Sequence, residues 1–299
     1  MPPYQPELEA ALDAARESGH AVLAAYADFV AVPDARAEIS TDADRQSQEI
    51  ILGLLRKRFP GDALCAEEET PTLAEAPRTG RRLWVVDPID GTRGFARKNG
   101  EFSVMVALVE GGEIAVGVVL EPVARRLTYA VRGGGCWRQD GAAAAPRCRV
   151  SATTDLSSAT LTQSHSPTGM PSGPARALAP AKVVEKYSAG LKLALVARGE
   201  ADVYVNTYRA FHDWDSCAGQ ILVEEAGGTV TGLAGQTLRY GVAGAWQRHG
   251  LLATNGALHR AALQHLAGGL LYEPRTKQAA PGPLNSCASL LFTSPLEPG

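Results

Sequence analysis

The amino-acid sequence predicts an α+β fold in which sheets and helices pack in layers. Three observations lead to this class. Two amphipathic helical patterns open the chain, a block of short apolar runs typical of strands follows, and helical and strand-like segments alternate in the second half. The 299 residues are 45% hydrophobic, which is enough for a substantial core in one large domain or two intimate lobes.

The first two elements are predicted helices. Residues 7–31 repeat apolar side chains at helical spacing, which indicates an amphipathic helix. A second helical pattern follows Thr41 and Asp42, either of which suits the N-cap position. It should end at residues 59–61, because Pro and Gly terminate helices.

Strands are predicted next. Residues 83–86 form a short, continuously apolar run, which indicates a buried strand. Further runs, separated by turns that contain Gly or Pro, predict an antiparallel meander over residues 102–110, 114–121 and 126–131. Residues 140–147 and 166–181 are rich in Ala, Pro, Ser and Gly, and both are predicted to be loops.

The second half alternates between helices and strands. Helical patterns cover residues 191–198, 214–226 and 257–266. Strand patterns cover residues 201–205, 229–231 and 251–254. We expect three parts of the chain: an N-terminal α+β lobe over 1–150, a C-terminal α/β lobe over 151–270, and a Pro-rich tail over 271–299 that is disordered or loosely packed.

Charge and cysteine content narrow the class of protein. The formal net charge is −3 and no strongly basic face is evident, so a nucleic-acid partner is not expected. The five cysteines are odd in number and lack C-x-x-C spacing, which argues against a disulfide framework or zinc cluster and for a reducing compartment. No signal-like or membrane-spanning apolar stretch is found. We therefore expect a cytoplasmic protein without a membrane partner.

The sharpest motif is Asp87-Pro88-Ile89-Asp90-Gly91-Thr92, directly after the predicted strand at 83–86. Burying two unpaired carboxylates is too costly, so these two should be exposed or neutralised by a cation, and oxygen ligands suit Mg²⁺. Gly91 lets the backbone approach a ligand closely, and a helix beginning at Thr92 would offer a phosphate site. The alternative is an ordinary Asp-Gly turn capped by Thr92.

Two further acidic features carry similar alternatives. Glu67, Glu68 and Glu69 follow a segment that could be a short strand, and adjacent carboxylates repel unless a cation binds them; otherwise they form a solvated loop. Asp215 stands at the start of the helix predicted over 214–226. It is either a ligand or simply an N-terminal acid favoured by the helix dipole.

In order and spacing, these blocks resemble the inositol monophosphatase superfamily of metal-dependent, lithium-sensitive phosphatases. That superfamily has an Asp, then Glu-Glu, then Asp-Pro-Ile-Asp-Gly-Thr, then Trp-Asp-x-x-x-Gly. This sequence supplies Asp44, Glu67-Glu68, residues 87–92 and residues 214–219. The resemblance covers about residues 5–268. It implies an αβαβα sandwich of the inositol monophosphatase/fructose-1,6-bisphosphatase type, with the active site between two lobes.

The resemblance also implies a set of metal ligands. Glu67, Asp87 and the Ile89 carbonyl would hold one Mg²⁺. Asp87, Asp90 and Asp215 would hold a second, and a third, weaker ion would contact Glu67. Two such ions can clamp the attacking and leaving oxygens of an in-line displacement.

Catalytic roles follow from the same resemblance. A metal-activated water near Glu67 and Thr92 would attack phosphorus, and Asp44 would bind the Thr92 hydroxyl and tune that activation. Backbone N–H groups of Gly91 and Thr92 would hold phosphate oxygens, without a covalent phosphoenzyme. Among the metal ligands, Asp90 and Asp215 would also contact the substrate.

Two families within the superfamily compete for the substrate assignment. Residues 97–102, Ser164-His165 and Leu191-Lys192 resemble the bacterial 3'(2'),5'-bisphosphate nucleotidases. In that case Ser164, His165 and Lys192 would bind a second anionic group. The family often has Gly-Ser-Ser-x-Lys before this lysine, and both serines are replaced here, by Ala189 and Gly190. Alternatively, Lys192 is a solvated helix lysine and His165 an ordinary loop residue.

The other family, inositol monophosphatase proper, usually carries a Glu seven residues before the second-lobe aspartate, where this chain has Tyr208. A phenol cannot replace a carboxylate that accepts two hydroxyl bonds, although it could stack on a base. We therefore expect hydrolysis of adenosine 3',5'-bisphosphate to AMP and phosphate by a monomer or homodimer. The alternatives are an inositol-1-monophosphatase or another sugar or histidinol phosphate phosphatase, and, more distantly, a catalytically silent metal-binding or RNA-interacting protein.

Overall fold

A computed structural model describes residues 3–36, 39–166, 170–208, 211–241 and 246–269. The tail predicted over 271–299 lies outside the described residues. The helices are α1 (Gln5–Asp28), α2 (Asp42–Arg58), α3 (Pro71–Ala74), α4 (Thr92–Ala96), α5 (Gly173–Leu178), α6 (Ala189–Ala197), α7 (Asp213–Glu225) and α8 (His259–Gly269). In this part of the chain, no helix combines the length and the apolar character needed to cross a bilayer.

The strands form three sheets. The first sheet contains β1 (Ala63–Ala66), β2 (Arg82–Asp90), β3 (Ser103–Glu110), β4 (Glu113–Glu121), β5 (Arg126–Val131) and β6 (Gly135–Asp140). The second contains β7 (Thr160–Gln163), β8 (Lys182–Glu185), β9 (Val203–Asn206), β11 (Thr229–Thr231) and β13 (Leu251–Thr254). The third is the pair β10 (Phe211–His212) and β12 (Trp246–Gln247).

The first sheet follows chain order from β1 to β6, with β1 parallel to β2 and every later pair antiparallel. The predicted antiparallel meander is therefore confirmed in β3, β4 and β5. The second sheet has the order β11-β13-β9-β7-β8, in which β7 runs parallel to both β8 and β9. Parallel strands end at the same edge of a sheet, so residues that follow β1 and β2, or β7 and β9, lie near one another.

Five layers result from the packing of helices on these sheets. Helices α1 and α2 cover one face of the first sheet, and α7, beside α6, covers the other. The second sheet packs on the far side of α6 and α7, and α8 with α5 forms the outermost layer. The predicted layered α+β class is confirmed. The lobe boundary near residue 150 stays a prediction, since α6 and α7 pack against both sheets.

Side chains that alternate along a strand let the first sheet bury both of its faces. In β3, Val104 and Val106 face the α1/α2 layer, whereas Met105 and Ala107 face the α6/α7 layer. Because both faces are buried, the strand is continuously apolar rather than alternating. That is why short apolar runs located the first sheet in the sequence.

One of the two predicted loops needs correction. Residues 166–181 contain α5, whose first turn is capped by the Ser172 hydroxyl accepting from the N–H of Ala175 at 3.1 Å. Leu178 is buried against α8, which holds this short helix in place. The loop predicted over 140–147 is confirmed: β6 ends at Asp140, and the following residues are irregular apart from an isolated bridge between Arg147 and Trp137.

Candidate active site

The predicted acidic residues meet at one edge of the first sheet. Glu67 directly follows β1, and Asp87 and Asp90 lie at the end of β2. Since β1 and β2 are parallel, their carboxyl ends reach the same edge. Asp215 joins them from the first turn of α7, where its carboxylate accepts from the backbone N–H of His212 at 2.6 Å.

Asp87 lies within β2 and not after it, which corrects the predicted strand end. In a regular strand Asp87 and Asp90 would point to opposite faces, because their spacing is odd. Here Asp87 pairs with Met105 and Asp90 with Ser103, so three steps on β2 face two on β3. This bulge turns both carboxylates towards the same site.

Three carboxylates come together as a result. Asp87, Asp90 and Asp215 each place one oxygen so that all three lie within 4.8 Å of one another. Asp87 is 2% exposed and Asp90 6% exposed. Burial of two acids at such short range is stable only if other groups or a cation compensate their charge.

The negative charge of Asp90 is stabilised by hydrogen bonds from the N-terminus of α6. Its carboxylate accepts from the N–H groups of Ala189 at 3.1 Å and Gly190 at 2.6 Å, and from the Ser103 hydroxyl at 3.1 Å. The Ser188 hydroxyl also donates to it. Burial raises the pKa of Asp90, and the bonds from Ser188 and Gly190 oppose that rise.

The negative charge of Asp87 is less well stabilised by other groups of the protein. Its Oδ1 atom is buried and has no hydrogen-bond partner among the described residues. Burial, and then the charges of Glu67 and Asp90, raise the pKa of Asp87 well above its ordinary value. Burial and the neighbouring charges of Asp215 and Asp44 raise the pKa of Glu67 in the same way. An orphaned oxygen among mutually repelling carboxylates fits a divalent cation bound by hard oxygen ligands.

Thr92 and Asp44 form the hydrogen bond that was predicted. Thr92 Oγ1 lies 2.9 Å from Asp44 Oδ1 and 3.0 Å from the Ile89 carbonyl oxygen. Asp44 is fully buried in the first turn of α2, where Oδ2 also accepts from the N–H of Thr41 at 2.9 Å. Burial raises the pKa of Asp44 to about 6, although the bonds from Thr41 and Thr92 lower it.

A cleft of about 710 Å³ opens over the carboxylates. Every residue predicted for the site lines this cleft except Asp44, which lies behind Thr92. The structure therefore brings together residues from both sheets and from the ends of α4, α6 and α7. The roles assigned to them remain predictions.

Lys192 is buried, so its alternative reading as a solvated lysine is wrong. It is 1% exposed. Its ammonium donates to the Ser164 hydroxyl at 2.9 Å and to the carbonyls of Lys186 at 3.0 Å and Tyr187 at 3.2 Å. Burial lowers the pKa of Lys192 to about 8. With three acceptors for three N–H donors, this lysine fixes the cleft wall and has little left for a ligand.

His165 and Tyr208 occupy different parts of the rim. His165 Nε2 lies 2.6 Å from Glu101 Oε2, and its ring centroid is 4.2 Å from that of Tyr187. Tyr208 follows β9 and is 48% exposed. Its exposed ring is therefore accessible to a ligand in the cleft, whereas His165 is engaged by Glu101.

Some residues of the cleft were missed by the sequence reasoning. Arg93 and Tyr187 both line it, and their guanidinium and ring lie 5.3 Å apart. The sequence could have indicated Arg93 as a residue of the site, because it directly follows Thr92. Tyr187 precedes Ser188, the N-cap of α6. No sequence pattern indicates that it lines the cleft, because its position depends on contacts across the fold.

The sequence matches the inositol monophosphatase family over residues 4–269. It is 36% identical to a histidinol-phosphatase of Mycobacterium tuberculosis over 235 residues, which cover 77% of this chain and 85% of that protein. It is 31% identical to the 3'(2'),5'-bisphosphate nucleotidase CysQ of Salmonella typhimurium over 243 residues, which cover 78% of this chain and 93% of the relative.

Solved structures give the same result for the fold. An IMPase of Thermotoga maritima superposes with a TM-score of 0.76 at 28% identity, covering 89% of this chain and 99% of the other. The extragenic suppressor protein suhB of Bartonella henselae has a TM-score of 0.75 at 26% identity, covering 89% of this chain and 100% of the other. Relatives with similar sequence identity to this chain thus carry names for different substrates, such as histidinol-phosphatase and 3'(2'),5'-bisphosphate nucleotidase.

Proposed function

Because this chain belongs to the inositol monophosphatase family and is a metal-dependent phosphomonoester hydrolase, we propose that its substrate is a 3'(2'),5'-bisphosphate nucleotide. The proposed reaction converts adenosine 3',5'-bisphosphate and water to AMP and phosphate. The observation that carries the hydrolytic part is the cluster of Asp87, Asp90 and Asp215, with an orphaned oxygen on Asp87.

We propose Mg²⁺ as the cation. Glu67, Asp87 and the Ile89 carbonyl would hold one ion, and Asp87 with Asp90 and Asp215 a second; a third would contact Glu67. When bound, these ions supply charge neutralisation for the phosphate oxygens and polarise the attacking and leaving groups. The donor set consists of oxygens, which is the set that Mg²⁺ prefers.

The protein's own contribution centres on Thr92 and Glu67. The Thr92 hydroxyl can donate a hydrogen bond to Asp44 or to the Ile89 carbonyl, which leaves its lone pairs free to accept a hydrogen bond from a water molecule. Glu67, which lines the same cleft, would take a proton from that water. Backbone N–H groups of Gly91 and Thr92 would orient the phosphate.

The walls of the cleft favour a nucleotide over an inositol ester. The Tyr208 ring is half exposed at the rim, and a ring of this kind can stack on a base. The position of Tyr208 also lacks the carboxylate that would accept bonds from sugar hydroxyls. A histidinol phosphate is the second candidate, because a histidinol-phosphatase is among the relatives.

A substrate comparison tests this proposal. Phosphate release with Mg²⁺ would be measured from adenosine 3',5'-bisphosphate, inositol 1-phosphate and histidinol phosphate, with the Asp87→Asn variant and a chelator as metal controls. We expect the nucleotide to have the highest kcat/KM. Turnover of the inositol or histidinol ester faster by tenfold or more would refute the nucleotide assignment. An inert wild-type protein across a broad phosphomonoester panel would instead favour a silent metal-binding scaffold.

A further inference from the structure

Arg93 is a cationic side chain of the cleft that the proposed reaction does not use. It directly follows Thr92 and lines the same cleft as the carboxylate cluster. Its Nε atom is buried without a hydrogen-bond partner in the described part of the chain. Its guanidinium carbon lies 5.3 Å from the centroid of the Tyr187 ring. Stacking of this kind holds the guanidinium plane while leaving its edge donors available.

The neighbouring cations are already paired within the protein. Lys186 donates to Glu101 at 2.9 Å, and Arg97 donates to the Tyr187 hydroxyl at 2.7 Å. Lys192 has its three acceptors, as described above. The Nε of Arg97 is also buried without a partner, but Arg97 does not line the cleft. Among the described residues that do line it, Arg93 is the arginine or lysine without a hydrogen bond to the protein.

An unpaired guanidinium with a desolvated nitrogen is costly unless a ligand completes it. Its planar fork matches the oxygens of a phosphate group, to which it can donate two parallel hydrogen bonds. The reacting phosphate belongs over Asp87, Asp90 and Asp215, where cations would neutralise it. A second, non-reacting phosphate has no such cation and needs a positive side chain.

We infer that Arg93 binds the non-reacting phosphate of a bisphosphate substrate and makes the enzyme prefer bisphosphates over the matching monophosphates. The nucleotide identity of that substrate rests on the proposed function, whereas the requirement for a second anion rests on Arg93 alone. Tyr187 acts as the positioning residue that keeps the guanidinium facing the cleft. This assignment replaces Lys192 and His165 as the residues expected to bind a second anion.

Paired substrates test the inference. The pairs are adenosine 3',5'-bisphosphate with adenosine 3'-phosphate, fructose 1,6-bisphosphate with fructose 1-phosphate, and inositol 1,4-bisphosphate with inositol 1-phosphate. For Arg93→Ala we expect kcat/KM to fall about 10- to 100-fold on the bisphosphate, mainly through KM, because a hydrogen bond to a charged group contributes about 1.5–3 kcal/mol. On the monophosphate it should stay within about threefold of wild type, and Arg93→Lys should fall between the two.

Arg97→Ala is the matched control. Arg97 also lies over the Tyr187 ring, at 5.6 Å, yet it is not among the residues that line the cleft. Its loss should leave the ratio of bisphosphate to monophosphate kcat/KM unchanged. If Arg97→Ala lowers that ratio as far as Arg93→Ala does, the effect comes from displacing Tyr187 and the inference is wrong. Thermal unfolding of each variant verifies that it is folded.

The remaining outcomes separate this inference from the proposed function. If a fructose or inositol pair is hydrolysed best and its ratio collapses in Arg93→Ala, the nucleotide assignment fails and the Arg93 inference stands. If bisphosphate and monophosphate fall equally, Arg93 acts on the reacting phosphate and the inference is overturned. An unchanged ratio in every hydrolysed pair overturns it as well.

Discussion

The hydroxyl of Thr92 is fixed by two acceptors, Asp44 Oδ1 and the Ile89 carbonyl oxygen. This arrangement matters because a hydroxyl whose proton is engaged presents its lone pairs in a defined direction. Asp44 Oδ1 accepts a hydrogen bond from this hydroxyl, and burial raises the pKa of Asp44 to about 6. The pair therefore connects a buried acid on α2 to the cleft.

Replacement of Thr92 tests this connection. Thr92→Val keeps the shape but removes the hydroxyl, so we expect kcat to fall about 100-fold, at the low end for a lost acid–base contact, with little change in KM. Thr92→Ser keeps the hydroxyl and should retain at least a third of the wild-type kcat. Steady-state kinetics at saturating Mg²⁺ measure both. A Val variant within threefold of wild type would contradict the proposed role of the hydroxyl.

At the scale of elements, α7, which carries Asp215, packs very close to its neighbours. A Cβ atom added to Gly219 would come within 2.6 Å of Leu193 Cβ on α6. On the opposite side, a Cβ at Gly117 of β4 would come within 2.6 Å of the Ala218 carbonyl oxygen. Small residues at both contacts set the distance between the helix layer and the first sheet.

Two glycine substitutions measure this close packing. Gly219→Ala should destabilise the protein by about 1–3 kcal/mol, because overpacking outweighs the better helix propensity of Ala. Gly53→Ala in α2 is the control, since nothing lies within 4 Å of the added Cβ; it should stabilise by about 0.5–1 kcal/mol. Urea unfolding gives both free energies. Equal effects of the two substitutions would show that α7 can accommodate an added methyl group at this contact.

The same contacts explain what the sequence could predict and what it could not. Strong periodicity located α1, α2 and α7, and the apolar runs located β2 to β5. The second sheet was harder, because β7 and β8 are short and paired across 22 residues, and Val183 of β8 is exposed at the edge. Likewise, the acidic block predicted a cation site, but the bulge after Asp87 depends on pairing with β3.

Long-range contacts also decide the finer chemistry of the site. Asp90 is held by the N-terminus of α6, about a hundred residues later in the chain, which no local pattern reveals. Gly190 stands where the resemblance to the nucleotidases predicts serine, and a Cβ there would come within 2.7 Å of Met105 Sδ. The replacement of that serine therefore fits the packing around Asp90.

At the scale of the whole molecule, the site collects negative charge from the first sheet and from the α6/α7 helix layer into one cleft. Glu67 and Asp87 come from the first sheet, and Asp215 comes from the helix layer between the sheets. Binding a cation there joins elements that otherwise meet through like charges. The fold is therefore expected to be least stable without metal at the pH values where these acids are ionised.

This expectation has a definite sign. Burial, reinforced by neighbouring charges, raises the folded-state pKa values of Glu67, Asp87 and Asp90. The unfolded chain releases these protons near pH ~4, so above that pH the folded chain holds more protons than the unfolded one. The free energy of unfolding of the metal-free protein should therefore decrease as pH rises through the folded-state pKa values.

Mg²⁺ should reverse this trend, because it binds the deprotonated carboxylates and its affinity grows with pH. At a concentration 100 times Kd, a bound ligand adds about 2.7 kcal/mol to the free energy of unfolding. Denaturant titrations with Mg²⁺ or with EDTA between pH 5 and pH 8 measure both curves, which should diverge as pH rises. In Asp87→Asn, which lacks the proposed bridging carboxylate, the gap should shrink across the whole range. A wild-type gap that is constant or narrows with rising pH would mean that this carboxylate cluster does not hold the cation.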